Sequence, residues 1–335
     1  MAQNRPRQGI KRRQEKLTVN SVVFTVVVAL VLCGTLFIFI NDTFLRLDGI
    51  PSVYDVLCVL GIAKKPLVKT KVSGEATVHF IDVGQGDSEL IVTEKYTVLI
   101  DCGEDSTVSE VIGYIHSLGI TKLDYVIATH PHSDHIGGMY EILERFDVGR
   151  FIMPKVDEDY EPVTAVYEKM LDVIERKNIN AAYANAGELI FLGEGASLEI
   201  LAPVRNDYET LNDYSVTARL VFGNTSFLFT GDIEALAESD ILQSGANVAC
   251  DVIKVPHHGS TTSSSKEFLL AASPRYAVIE VGLQNDFGHP KSQILHRYKA
   301  IDCEIFTTAE SGDIVFVSDG TEITIVSEKG DEDAA

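Results

Sequence analysis

Residues 129–138 read Thr129-His130-Pro131-His132-Ser133-Asp134-His135-Ile136-Gly137-Gly138. Three imidazoles and one carboxylate therefore fall within six residues, directly after the apolar run Tyr125-Val126-Ile127-Ala128. Imidazole nitrogens and carboxylate oxygens are what zinc and related divalent ions bind. His130 and His132 stand two apart, so on extended backbone they share one side. Asp134 and His135 follow the turn and can serve a second ion. Gly137 and Gly138 let the chain fold back tightly and lead into a helix. The plain alternative is a polar loop with solvated histidines. Four potential ligands in so short a stretch, at the end of a strand, favour a metal-dependent hydrolase instead.

Four further segments put acids or histidines where strands should end. They are Leu99-Ile100-Asp101-Cys102-Gly103, Phe229-Thr230-Gly231-Asp232, Val255-Pro256-His257-His258-Gly259-Ser260 and Phe287-Gly288-His289-Pro290. Apolar periodicity predicts strands at Ala76–Asp82, Ser88–Val92, Thr97–Asp101 and Asp124–Thr129. A second run follows at Leu198–Ala202, Ser215–Phe222, Ser226–Thr230, Cys250–Val255 and Tyr276–Val281, and Ile314–Val317 with Glu322–Val326 makes a closing hairpin. Helical spacing predicts helices at Ser106–Leu118, Pro162–Arg176, Ile233–Leu242, Ser263–Ala272 and Pro290–Lys299. Two runs of strands interleaved with helices imply two packed sheets with helices outside, in one domain of about 260 residues.

Together these residues resemble the metallo-β-lactamase superfamily, and within it the hydrolase domain of ComEC-type bacterial competence proteins. The likeness covers roughly Ala76 to Val326. Beyond the histidine cluster it rests on Phe80-Ile81-Asp82-Val83-Gly84-Gln85-Gly86-Asp87, Thr230-Gly231-Asp232, His257-His258-Gly259-Ser260 and Gly288-His289-Pro290. It implies an α/β fold, an αββα sandwich, with two divalent metal ions, Zn or Mn, at one edge of the sheets. By the same resemblance His130 and His132 bind the first ion, Asp134 and His135 bind the second, and Asp232 bridges them. His257 completes the second ion's coordination, with His258 as the alternative. Asp134, His258 and His289 are the residues expected to take part in the chemistry.

Asp101 is expected to stand behind the ligands, accepting a ring N–H and fixing a tautomer; a strand-end turn is its plain reading. His289, in a rigid Gly-His-Pro loop, either holds a phosphate oxygen or protonates the leaving group, or simply makes a loop hydrogen bond. Asp82, Gln85 and Asp87 either line the site or belong to a turn that the glycines make. Many superfamily members carry a further metal histidine before the bridging aspartate. Here the stretch Leu211-Asn212-Asp213-Tyr214-Ser215 has none, which leaves water, Asn212 or Asp213 for the first ion.

The 335 residues carry a formal charge of −21, unevenly spread. Residues 1–16 form a basic head of +5, so the remainder is −26. An uncharged run, Leu17 to Asn41, follows, and about 20 apolar residues suffice to cross a bilayer. The basic flank would stay in the cytoplasm and the rest of the chain outside. A cleaved signal peptide fits less well, because the apolar run is long and no small-residue cleavage site follows it. Leu32 is too large for the position before a lipidated Cys33. The expected organisation is a tail at 1–16, a single-pass cell-membrane anchor at 17–41, a linker at 42–74 with a short helix over 51–60, the hydrolase domain at 75–327 and an acidic tail at 328–335. Five scattered cysteines without a C-x-x-C pair are no disulfide framework.

Water held between two ions loses a proton near neutral pH and attacks phosphorus or a carbonyl carbon. No Ser–His or Cys–His nucleophile is needed, and none is evident. The resemblance favours DNA as substrate, with the bilayer and a DNA-uptake channel as the other partners. One alternative is hydrolysis of a small ester, lactam or cell-wall phosphoester; another is a tethered, non-catalytic binding domain. An acidic exterior repels a polyanion unless a local basic track exists. Lys254, Lys266, Lys291, Arg297 and Lys299 are the candidates for one.

Overall fold

A computed structural model describes residues 8–40 and 66–330. The chain divides into two units, Met1–Lys65 and Pro66–Ala335. In the first, Gln8–Ile40 is one helix whose described side chains run from Val23 onward and are exposed except for half-buried Ile38, Phe24 and Leu30 being among the exposed ones. Among the described residues no helix is long and apolar enough to cross a membrane. The single-pass anchor expected at 17–41 is therefore not supported. The linker helix expected at 51–60 and the last residues of the acidic tail lie outside the described residues, as does Cys58. The described cysteines, Cys33, Cys102, Cys250 and Cys303, are free thiols.

In the second unit two sheets face each other. The first holds β1 (Ala76–Phe80), β2 (Glu89–Val92), β3 (Thr97–Ile100), β4 (Lys122–Ile127), β5 (Asp147–Met153) and β6 (Ala181–Tyr183). The second holds β7 (Leu189–Phe191), β8 (Ala196–Ala202), β9 (Thr217–Phe222), β10 (Thr225–Phe229), β11 (Val252–Lys254), β12 (Tyr276–Ile279) and β13 (Glu304–Thr307). The closing hairpin β14 (Ile314–Ser318) and β15 (Ile323–Ser327) returns to the first sheet, giving orders β15-β14-β1-β2-β3-β4-β5-β6 and β13-β12-β11-β10-β9-β8-β7.

Each sheet changes character across its width. Strands β3 to β6 run parallel, as do β10 to β13, while the remaining pairs are antiparallel. Parallel strands are covered on both faces, which is why Thr97–Ile100 and Tyr276–Ile279 are buried throughout. Between the sheets lies one core that includes Phe80, Phe227, Phe229 and Phe316. Helices Val108–Ser117, Met139–Arg145 and Ala165–Lys177 cover the outside of the first sheet. Helices Ala235–Ser244, Lys266–Ala272 and Ser292–Lys299 cover the second. The result is the αββα sandwich. Carboxyl ends of parallel strands are where ligands bind in open α/β sheets, and here β3, β4, β10, β11 and β12 all end at one edge.

Candidate metal centre

The first sheet supplies its candidate ligands on one loop. After β4, Thr129 leads into His130 and His132, and the carbonyl of His132 accepts the N–H groups of His135 (3.1 Å) and Ile136 (3.0 Å) at the start of a short helix, Ser133–Ile136. Glycine is required next: a Cβ on Gly137 would overlap Ser133 O and Asp105 N, and one on Gly138 would overlap the Val108 side chain. Asp101, just past β3, sits at φ +53°. Its Oδ1 accepts the Thr129 N–H at 2.8 Å, and its Oδ2 accepts the Thr129 hydroxyl at 2.5 Å and the His135 Nδ1–H at 2.7 Å. That last bond fixes the tautomer of His135 and turns Nε2 inward. Nδ1 of His130 is near Thr129 Oγ1 (3.1 Å) and Ser215 Oγ (3.3 Å), while its Nε2 faces Nδ1 of His132 at 2.9 Å.

The second sheet supplies single residues from successive strand ends. Asp232 follows β10, its N–H bonded to Ser215 Oγ at 3.0 Å. Oδ2 of Asp232 lies 3.4 Å from Nε2 of His135, 3.5 Å from Nε2 of His258, 3.8 Å from Nε2 of His257 and 4.0 Å from Nε2 of His130. His257 and His258 follow β11, both at φ +51°. Two successive non-glycine residues in the left-handed region are costly, and such strain gathers at functional sites. His258 is buried, donates Nδ1–H to Glu280 O at 2.8 Å and brings Nε2 to 3.3 Å from Asp134 Oδ2. His257 is more open, with Nδ1 at 3.1 Å from Thr262 Oγ1 and 3.4 Å from Glu234 Oε1. Both histidines thus reach Asp232, but His258 is the one enclosed between the two aspartates.

The electrostatics match a cation site. Burial resists charge on Asp232, yet His258 and His135 outweigh it and hold its carboxyl well below the usual range. Burial pushes His258 down, but Asp232 and Asp87 outweigh it and lift the ring to about 10. His135 is raised in the same way, against burial, by Asp232 and Asp87. His130 goes the other way, lowered by burial and then by His135. Nε2 of His135, Nε2 of His258 and Oδ1 of Asp232 are buried with no hydrogen-bond partner. Buried polar atoms are seldom left so, and His130, His135 and Asp232 bring ligand atoms within 4.8 Å of one another. Orphaned nitrogens around surplus carboxylate are a donor set that divalent ions fit.

The remaining residues singled out from the sequence are placed as follows. Asp87 is fully buried, ion-paired with Lys254 and 3.3 Å from Nδ1 of His258. Asp82 is engaged in its own turn: its Oδ1 accepts the Gly84 N–H (3.1 Å) and its N–H reaches Asp313 Oδ1 (2.9 Å). The ring of His289 lies edge-on to His257 at 5.7 Å, and burial, then His257, lower it to about 4. Asp213 cannot replace the superfamily histidine, because its Oδ1 accepts the Glu234 N–H (2.9 Å) and the Ala237 N–H (3.4 Å) at the start of helix Ala235–Ser244. Asn212 donates to Glu234 Oε1 at 3.1 Å and stands 3.4 Å from His257 Nδ1.

Two of the five residues that could form a basic track are engaged internally. Lys254 is buried with its charge spent on Asp87, and Arg297 donates to the carbonyls of Ser263 and Ser264. Sequence reasoning missed Ser215, which ties His130 to Asp232, and Glu280, whose carbonyl orients His258. Neither carries a local signal beyond lying at a strand end.

A family model for the metallo-beta-lactamase superfamily matches residues 81–282. ComE operon protein 3 of Bacillus subtilis (strain 168) is 28% identical over 73% of this chain and 33% of its own length. Competence protein ComA of Neisseria gonorrhoeae is 29% identical over 72% of this chain and 32% of its own. The chain therefore spans about a third of the length of these curated relatives. Among solved structures, the metallo hydrolase Igni18 from Ignicoccus hospitalis aligns with TM-score 0.44 and 18% identity, over 75% of this chain and 98% of its own. The strand order, the ligand loop after β4 and the matched residues agree: the chain belongs to the metallo-beta-lactamase superfamily.

Proposed function

We propose that this chain is a two-metal phosphodiesterase acting on DNA. The observation that carries the reading is the convergence of four imidazole Nε2 atoms on one oxygen of Asp232, at 3.4–4.0 Å. His130 and His132 would hold the first ion, and Asp134, His135 and His258 the second, with Asp232 between them. His258 takes the place first given to His257, since its Nε2 is enclosed between Asp134 and Asp232. Two divalent ions, Zn or Mn, supply there a water of lowered pKa and a Lewis acid for the attacked group. The protein's own part is to fix the rings. Asp101 orients His135, Glu280 O orients His258, and the loop carrying His289 places a ring of low basicity beside the open His257. A relative named as a competence protein and another named as a ComE operon protein support DNA, the substrate that the family resemblance implies, over a small ester.

Metal content and turnover of bis(p-nitrophenyl) phosphate and single-stranded DNA test this. Two bound ions, cleavage of both substrates and loss of both activities in Asp134→Ala are expected. Turnover of the small diester without DNA cleavage would move the substrate to a small phosphoester or ester. A chain that binds no ion would be a binding domain, and the reading fails. We also place the chain at a membrane surface. Exposed Val23, Phe24, Leu30 and Leu36 on the first helix favour an apolar surrounding. Fractionation of the full chain against one lacking 1–41 tests this; equal recovery of both in the soluble fraction overturns it.

A further inference from the structure

Lys254 is a buried cation without a role in the chemistry described so far. It is 0% exposed, and no other lysine or arginine among the described residues is buried. Burying an ammonium is expensive unless its protons find partners. Those of Lys254 do. Nζ is ion-paired with Asp87, donates to Gly231 O at 3.1 Å and lies 3.6 Å from Oδ1 of Asp232. The side chain comes from the last residue of β11, next to β10, whose loop carries Asp232.

The two oxygens of Asp232 are chemically alike, yet their surroundings differ. Oδ2 faces four imidazole nitrogens. Oδ1 faces the ammonium. A carboxylate between two ions has two ways to join them: through one oxygen, or by turning to give one oxygen to each. The second spaces the ions further apart and couples them less. We propose that Lys254 is a positioning residue for the metal pair: its ammonium, 3.6 Å from Oδ1 of Asp232, attracts that oxygen by charge without a hydrogen bond and would leave Oδ2 as the atom shared between the ions. The proposal rests on the two-metal reading above.

The test is electron paramagnetic resonance of the full chain loaded with Mn2+, with bound metal counted separately. Wild type should give the spectrum of two coupled ions. Lys254→Met should retain bound manganese but lose most of that coupling, and its kcat on bis(p-nitrophenyl) phosphate should fall at least tenfold with KM little changed. Lys254→Gln keeps chain length and a neutral donor, and serves where the methionine variant does not fold; the same loss of coupling is expected. A wild type with two coupled ions and a neutral variant with the same spectrum and kcat overturns the role of Lys254 alone. A wild type that takes up no manganese overturns the two-metal reading and this inference with it.

Discussion

The first sheet carries its candidate ligands on one loop, Thr129–Gly138. The second delivers them one strand end at a time, Asp232 after β10 and His258 after β11. The two halves are also held in different ways. On the first, a carboxylate stands behind the ligand: Asp101 takes the Nδ1–H of His135 and both donors of Thr129. On the second, a backbone carbonyl stands behind His258, and the nearby carboxylate of Asp87 is neutralised by Lys254. A contiguous loop can be positioned by local hydrogen bonds and two glycines. Dispersed ligands need backbone strain, at His257 and His258, and an internal counter-charge.

Asp232 is where the halves meet, so its loss should have the largest effect. Asp232→Asn is expected to lower kcat/KM on bis(p-nitrophenyl) phosphate about 1,000-fold or more, since stabilisation by metal ions is worth several kcal/mol. Metal analysis should show fewer than two ions per chain. Two retained ions with near-normal turnover would mean that the two halves do not share this residue.

Gly86→Ala probes the first half without replacing a ligand residue. Gly86 has φ +135°, and a Cβ there would overlap the carbonyl of Asp134. The Asp87 N–H also bonds that carbonyl at 3.2 Å. Pushing Asp134 aside by about 1 Å is expected to reduce kcat by about 100-fold, with the bound ions largely retained. Unchanged kcat would show that the loop yields instead.

The orienting groups should matter less and unequally. Asp101→Asn is expected to weaken ion binding by roughly 10- to 100-fold, the usual cost of removing a partner behind a ligand. Asp87→Asn should stay near the lower end, because Glu280 O still holds His258 Nδ1. Calorimetric titration of both variants with Mn2+ checks the order. A reversed order would make the second half the more dependent on its carboxylate.

The same contrast governs what could be read from the sequence. The loop Thr129–Gly138 was legible because its spacing is local, and the long buried strands were legible because both faces are apolar. Asp101 and Asp232 stood out as acids at strand ends. Four strands escaped notice: β5, whose first residues are exposed and which carries Gly149 against Asp124 O, the three-residue edge strands β6 and β7, and the half-exposed edge strand β13. Helix Met139–Arg145 was hidden by its length, under two turns beyond the glycines. Choosing between His257 and His258 depended on which ring is enclosed by Asp134, a tertiary fact. Lys254 read as a candidate for a basic track because nothing local shows that Asp87, more than 160 positions earlier in the chain, arrives beside it.

A histidine outside the centre separates fold stability from ion binding in the first half. His79 on β1 is buried, with Nε2 at 2.8 Å from Thr77 Oγ1 and Nδ1 at 2.8 Å from Tyr114 OH. Burial lowers its pKa from 6.5 to about 3. The folded ring therefore stays neutral while the unfolded one takes up a proton near pH 6.5. Its contribution is complete above that pH and is lost as pH falls toward 3, at about 1.4 kcal/mol per pH unit for one proton. Carboxylates titrate in part of the same window, so the wild type alone does not isolate this slope. His79→Gln keeps side chains able to meet Thr77 and Tyr114 but has nothing to protonate. Denaturant unfolding from pH 6.5 to 5 should give a steeper loss for wild type than for His79→Gln, by about one proton, with Mn2+ absent from both. Equal slopes would show that His79 is already charged in the folded chain, and that the first sheet is less dry beneath its helices than its packing indicates.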